Sequence, residues 1–233
     1  MTKAVFFDWF NTLARFDPPR EELHSQVLGE FGIEVPPQKV MPGVFAADNY
    51  WFEENAKLSL RERSRQQLKE LHIHYQEIVL AEIGVNVSRE LLLKIVGRVR
   101  ELAKGMTFVL FDDVLTVLPR LKQRGLTLGL LTNLAKDMEP ICNKLGLEPY
   151  IDFMVTSGEI GVDKPHPPIF LAALKRAGVN TAEAIHVGDQ YKVDVIGARG
   201  VGIAPILIDR YNLHPEVSDC PRIVSLTELD RYL

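Results

Sequence analysis

The feature that most constrains this chain is a recurring pair: a short apolar run that stops at a polar residue, then a stretch with helical spacing. Residues 4–7, Ala-Val-Phe-Phe, stop at Asp8, and four comparable runs follow at 126–131, 153–156, 184–187 and 203–208. Runs this short and this uniformly apolar have no polar face, so they predict strands covered on both sides. Helical patterns lie between them over 114–124, 136–145, 168–177 and 192–199. Strand alternating with helix leads to a parallel sheet. Right-handed crossovers make it a doubly wound α/β fold, with its functional edge at the carboxyl ends of the strands.

Residues 15–105 break that rhythm. Leu60, Ser64, Gln67, Leu68 and Leu71 fall about a turn apart, as do Leu91, Leu92, Ile95, Val96 and Val99, and Pro18-Pro19, Pro36-Pro37 and Pro42-Gly43 punctuate the stretch. The pattern predicts a mostly helical domain over 15–105 inserted into an α/β core made of 1–14 and 106–233. Past residue 211 a loop is expected, then a short strand near Ile223-Val224 and a final helix.

With 233 residues the chain suits one core domain plus such an insertion. Its 46% hydrophobic and 25% charged residues are ordinary for a folded protein and argue against disorder. A net charge of −4 offers no basic surface for nucleic acid or anionic lipid. Two cysteines, Cys142 and Cys220, cannot build a disulfide framework or a four-cysteine zinc site and are expected to be reduced. No apolar run reaches the roughly 20 residues of a membrane span, and no secretion signal is visible. The expectation is a cytoplasmic protein, monomer or homodimer, that acts on a small molecule and has no nucleic-acid or membrane partner.

Four groups of residues could carry chemistry. Asp8 stands at the carboxyl end of the first run, where α/β folds bind ligands, and a carboxylate there can act as a nucleophile. Thr132-Asn133 ends the second run with a hydroxyl and an amide that can hold an anion. Lys164 is fixed by the following Pro165 and is a compact positive charge. Asp189 follows Gly188 at the end of the fourth run, and Asp194 comes one helical turn later; two or three carboxylate oxygens suit octahedral Mg²⁺. Taken singly, each has an ordinary explanation: a turn-capping Asp, a helix N-cap, a surface lysine, a helix cap beside a solvated acid.

Taken together and in this order, Asp8 with Asn11-Thr12, Thr132-Asn133, Lys164-Pro165 and Gly188-Asp189 with Asp194 resemble the motifs of the haloacid dehalogenase-like (HAD) hydrolase superfamily. The helical insertion resembles that family's cap. The resemblance implies that Asp8 is the nucleophile, that Thr132 binds the transferring group, and that Lys164 offsets the charge on Asp8 and on the phosphoryl oxygens. It implies Mg²⁺ held by Asp8, the backbone carbonyl of Phe10 and Asp189, with support from Asp194. Asn11, Thr12 and Asn133 would bind substrate, and the cap would close over the site and select it.

Residue 10 departs from the pattern of that family's phosphatases, which carry a second Asp two residues after the nucleophile as general acid and base. Here it is Phe10, which transfers no proton. Four readings stay open. The chain is a Mg²⁺-dependent phosphatase, suited to leaving groups such as acyl phosphates that need no proton or using an acid from the cap. It is a metal-independent 2-haloacid dehalogenase, whose halide leaves unprotonated, although Gly188-Asp189 with Asp194 argues against this. It is a carbon–phosphorus hydrolase resembling phosphonoacetaldehyde hydrolase, for which Lys39 or Lys57 would have to form a Schiff base. Or it is a regulatory relative that keeps the fold and hydrolyses slowly. His186, inside an apolar run, is expected to be a core histidine; Arg61, Arg63 and Arg65 a solvated face; and Gly200 a helix C-cap.

Overall fold

A computed structural model describes residues 1–134 and 137–233. Its eight strands are β1 (Ala4–Phe7), β2 (Ala14–Asp17), β3 (Thr107–Leu110), β4 (Thr127–Thr132), β5 (Phe153–Thr156), β6 (Ala184–Gly188), β7 (Ala204–Ile208) and β8 (Arg222–Ile223). All four residues of β1 are fully buried, as a run without a polar face requires. Six strands form one sheet in the order β5-β4-β1-β6-β7-β8, and every pairing within it is parallel. The fold is therefore α/β with a doubly wound sheet. The chain builds outward from β1 to β4 and β5, then returns to β1's other side for β6, β7 and β8. The switch in direction lies between β1 and β6, the place where such sheets bind ligands.

Register decides which residues share that edge. Phe7 pairs with Leu130 of β4 and with Val187 of β6. Asp8, Thr132 and Asp189 therefore leave the sheet at nearly one level. The helices around this sheet are α5 (Val114–Gln123), α6 (Glu139–Lys144), α7 (Ser157–Ile160), α8 (Pro167–Ala177) and α9 (Ile196–Gly200). Ala4 and Phe6 of β1 pack with Leu131, Val155 and the α8 residues Ile169, Phe170 and Ala173 in one cluster. Burying each large apolar side chain of this kind stabilises the fold by roughly 1.5–3 kcal/mol.

The strands fall within about a residue of the sequence expectation. The expected helix over 136–145 is the shorter α6, Glu139–Lys144: Asp137 and Met138 are not helical, and Lys136 lies outside the described residues. The expected helix over 192–199 opens as a π-helical turn, Tyr191–Val195, before α9. Gly200 is the last residue of α9 and not its cap; the left-handed glycine is Gly202, at φ +84°. The final helix is a 3₁₀ segment, Leu226–Tyr232. The short pair β2–β3 forms a separate two-stranded sheet that the apolar pattern did not show.

The chain divides into two compact units, Met1–Arg15 with Val109–Leu233, and Phe16–Phe108. The second is helical, with α1 (Arg20–Glu30), α2 (Pro37–Lys57), α3 (Arg65–Glu82) and α4 (Arg89–Leu102). Ser64 opens α3 through a reciprocal capping box with Gln67, and Ser88 caps α4 by accepting from the Leu91 N–H. Val27, Leu28, Val40, Ala47, Val79 and Ile95 are at the centre of this unit's core. Within it Arg20 grips Asp48 with both terminal guanidinium nitrogens, and Tyr75 donates to Asp48 Oδ1 at 3.0 Å. Arg63 is not on a solvated face: it is largely buried and donates to the Leu58 carbonyl at 3.1 Å. Among the described residues no helix is long and apolar enough to cross a membrane.

Candidate active site

The site begins where β1 ends. The Asp8 N–H still donates to the Val187 carbonyl at 2.9 Å, so the residue is held in line with the sheet while its carboxylate passes beyond it. The next residues fold back tightly. Leu13 N and Ala14 N both donate to the Trp9 carbonyl at 3.0 Å, and Asn11 N donates to Ala14 O at 2.7 Å. The reversal puts Asn11 in the left-handed region at φ +57°, which Asn tolerates better than most residues. Phe10 is half-buried and forms an isolated bridge with Ala14.

Lys164 reaches this loop from a segment 156 residues away. Its side chain is 1% exposed, and Nζ donates to Asp8 Oδ1 at 2.5 Å and to Asp194 Oδ1 at 2.6 Å. Its backbone is gripped from both sides by one amide. Asn133 Nδ2 donates to the Lys164 carbonyl at 3.0 Å, while the Lys164 N–H donates to Asn133 Oδ1 at 2.7 Å. The Asn133 carbonyl in turn accepts from Ser157 Oγ at 2.9 Å. Asn133 thus positions the lysine, a task that sequence reading of Thr132-Asn133 did not reveal. The Thr132 hydroxyl oxygen accepts from Leu134 N at 3.2 Å, which leaves its own proton to donate. Thr12 is fully buried, and its carbonyl accepts from Arg210.

Asp194 is held on both oxygens. Oδ1 receives Lys164 and also His186 Nε2 at 2.9 Å, and Oδ2 receives the Gln190 N–H at 3.1 Å. The carboxylate lies so close over Gly188 that a Cβ there would come within 2.2 Å of Asp194 Cγ. Only glycine admits this packing. Asp189 Oδ2 accepts from Gln190 Nε2 at 3.1 Å. His186 is fully buried in β6, as a core histidine should be, yet it also touches the site through Asp194.

Electrostatics follow from this burial. Desolvation pushes the Asp8 carboxyl from its ordinary value of 3.8 up to about 6, against the pull of Lys164. Desolvation, then the charges of Asp8 and Asp194, raise Asp189 well above the carboxylate range. Burial works to raise Asp194 too, but Lys164 and His186 outweigh it and hold this carboxyl well below the usual range. Burial also works against the Lys164 charge, but Asp194 and Asp8 more than offset it, so the amine stays protonated. Burial lowers His186, which remains neutral at pH 7.

The three carboxylates each offer an oxygen, all lying within 4.8 Å of one another. Among the described residues, three negative charges against the one ammonium of Lys164 leave two uncompensated, in a place where two of the carboxyls are already pushed toward protonation. An all-oxygen donor set with this deficit fits a hard divalent cation. Asp8 and Asp189 have the greater freedom to hold it, because Asp194 already serves Lys164, His186 and Gln190.

A model of the haloacid dehalogenase-like hydrolase family matches residues 2–202. The chain belongs to this family. One relative of this HAD-like hydrolase is the haloacid dehalogenase-like hydrolase domain-containing protein 3 of Homo sapiens, 31% identical over 212 residues, which cover 88% of this chain and 81% of that one. Another is a glyceraldehyde 3-phosphate phosphatase of Methanopyrus kandleri, 34% identical over 141 residues, or 60% of each chain. A magnesium-bound HAD hydrolase from Bacillus subtilis shares the fold with a TM-score of 0.65 at 20% identity, over 99% of this chain and 97% of that one.

Proposed function

We propose that this HAD-like hydrolase is a Mg²⁺-dependent phosphatase of a small phosphorylated metabolite, with Asp8 as its nucleophile. The observation that carries this reading is the cluster of Asp8, Asp189 and Asp194 within 4.8 Å of one another, answered among the described residues by the ammonium of Lys164. A dehalogenase would have no use for two further buried acids beside its nucleophile. The phosphatase activity of the Methanopyrus relative is in keeping with this reading.

Lys164 occupies Asp8 Oδ1, which leaves Oδ2 for attack on phosphorus. A phosphorus–oxygen bond forms to Asp8 as the bond to the leaving group breaks. Water then attacks the aspartyl phosphate, releasing phosphate and restoring the carboxylate. Lys164 lowers the repulsion between the Asp8 anion and the incoming phosphoryl group, and the Thr132 hydroxyl donates to a phosphoryl oxygen. Mg²⁺, when held by Asp8, Asp189 and the Phe10 carbonyl, supplies further charge neutralisation for the phosphoryl oxygens. Asp194 keeps Lys164 aimed and charged. Asn11 is left to meet the substrate. Phe10 supplies no proton, so substrates whose leaving group departs as a stable anion, acyl phosphates first, are favoured.

The test is phosphate release from acetyl phosphate and p-nitrophenyl phosphate, with and without Mg²⁺, with Asp8→Asn as control. Release that needs both Mg²⁺ and Asp8 upholds the reading. Release of chloride from 2-chloropropionate without metal, and no phosphate release, would replace it with dehalogenation.

A further inference from the structure

Arg210 lies just past the end of β7, two residues beyond its last apolar position, and its side chain is 7% exposed. It makes no contact with Lys164 or with the three acids of the site that the structure records. Its guanidinium is nonetheless fully engaged. Nε and one terminal nitrogen donate to the Thr12 carbonyl at 3.0 and 2.7 Å, and both terminal nitrogens donate to the two oxygens of Asp113 at 2.9 Å. The guanidinium also stacks over the Phe111 ring at 4.0 Å. Asp113 is itself fixed from the far side: Oδ2 accepts from Ser225 Oγ at 2.7 Å and from Leu226 N at 2.8 Å.

Thr12 belongs to the reversal that follows Asp8. Of the other carbonyls of that turn, Trp9 O is satisfied locally by Leu13 and Ala14 and Ala14 O by Asn11, while Leu13 O accepts from the distant Phe111 N–H, whose ring the Arg210 guanidinium covers. The Thr12 carbonyl is tied to a distant element by a side chain, since it accepts twice from Arg210. It follows directly on Asn11, whose left-handed φ of +57° the turn must sustain. A buried carbonyl needs a donor, and a left-handed non-glycine residue persists only where its surroundings over-determine it. A charged, doubly hydrogen-bonded, planar donor does both.

We infer that Arg210 is a positioning residue: together with Asp113 and Ser225 it clamps the Asn11–Thr12 turn and thereby fixes the Asp8 loop, including the Phe10 carbonyl, in its working geometry. The inference rests on the proposed reading of the site only for its consequence in catalysis. The clamp itself is a statement about the loop. Lysine keeps the charge at this position but cannot span Thr12 and Asp113 with paired donors.

The experiment compares the wild type with Arg210→Lys, with the milder Ser225→Ala, and with Leu229→Ala. The last removes a fully buried core side chain from the final 3₁₀ segment without touching the clamp. Three readouts are taken: amide hydrogen exchange of a peptide spanning residues 8–14, Mg²⁺ binding by calorimetry, and kcat and KM on acetyl phosphate. For Arg210→Lys, exchange in residues 8–14 is expected to rise about tenfold or more while peptides from β4 and β6 stay protected. Mg²⁺ affinity and kcat are expected to fall roughly 10- to 100-fold, the usual cost of losing a group that orients ligands, with KM little changed. Ser225→Ala should move all three in the same direction by less. Leu229→Ala should lower Tm and leave the kcat of the folded protein as it was. If both clamp variants exchange residues 8–14 like the wild type, or if Leu229→Ala loosens that peptide equally, the clamp is refuted. If the wild type neither binds Mg²⁺ nor releases phosphate while Arg210→Lys still loosens residues 8–14, the clamp stands and the phosphatase reading falls.

Discussion

Lys164 Nζ lies 2.5 Å from Asp8 Oδ1, on a lysine side chain that is 1% exposed and joined to a carboxylate that ends a fully buried strand. The ammonium is offset by this contact and by Asp194 at 2.6 Å. Removing it leaves three buried carboxylates facing one another. Breaking such a pair from one side costs about 3–5 kcal/mol, because the remaining charge is neither solvated nor paired. Lys164→Met, similar in length, is expected to lose stability on that scale at pH 7 and to lose activity by at least roughly 10²-fold, as when a single charge-stabilising donor is removed. Thermal unfolding and phosphate release measure the two. A variant that melts with the wild type would show that the acids relax by taking up protons at little cost.

The pH dependence of the metal-free protein follows from Asp8. Its carboxyl is near 3.8 when unfolded and is raised to about 6 when folded. A raised carboxyl binds its proton more tightly in the folded state. The contribution to stability is thus fully present below about pH 4 and is lost as pH rises through 6, a change on the order of 2–3 kcal/mol. Asp189 is shifted in the same direction. Asp194 is shifted in the opposite direction, so its contribution is lost only as pH falls below the ordinary carboxylate range. In the presence of a chelator, Tm is expected to fall between pH 4.5 and 6.5, and Mg²⁺ should reverse most of the fall by favouring the ionised acids. A chelator-treated protein whose Tm is flat over this interval, and indifferent to Mg²⁺, would contradict the charge deficit.

Gly188→Ala tests the packing beneath the site. The added methyl would lie 2.2 Å from Asp194 Cγ, so the carboxylate must move. Asp194 would then release Lys164, His186 or the Gln190 N–H, which it holds together. Overpacking of this kind costs about 1–3 kcal/mol. Activity is expected to fall further than stability implies, by roughly 10²-fold, because Lys164 loses its second anchor. Calorimetry with kcat on the folded fraction separates the two effects, and unchanged turnover would mean that Lys164 needs only Asp8.

The sheet was legible because its central strands β1 and β4 are almost wholly buried and read as apolar runs; β5, only partly buried, is still apolar enough that 153–156 matches it to the residue. The pair β2–β3 was not legible, because Ala14–Asp17 is only four residues long and alternates Ala14 and Phe16 with the charged Arg15 and Asp17, so it forms no apolar run. Within the site, Asp8 and Asp189 were found by one signal, a charged residue just past the carboxyl end of an apolar run; Lys164 was found by the Pro165 that follows it, and Asp194 by its place one helical turn after Asp189. Arg210 carries the first of these signals after 203–208 and was passed over, because it belongs to no motif. The grip of Asn133 on Lys164 was hidden for another reason. It joins residues 31 apart through backbone groups, which leave no trace in side-chain pattern.

Phe10 sets the last expectation. The residue is half-buried beside the nucleophile's turn, so a carboxyl there would retain access to water. In the reading proposed above, protonation of the leaving group is a task without an assigned residue. Alkoxides leave poorly unless protonated, whereas an acyl-phosphate carboxylate leaves well without help. Phe10→Asp is therefore expected to raise kcat/KM for alkyl phosphates by as much as about 10²-fold, the lower range of what general acid catalysis contributes, while acetyl phosphate changes little. The ratio of the two rates is the measurement, since it cancels any general loss of folded protein. A ratio that does not move would mean either that another group already delivers the proton or that the site is shaped around leaving groups that never need one. A solvent isotope effect on the wild-type alkyl phosphate reaction separates these, because only the first involves a proton in flight.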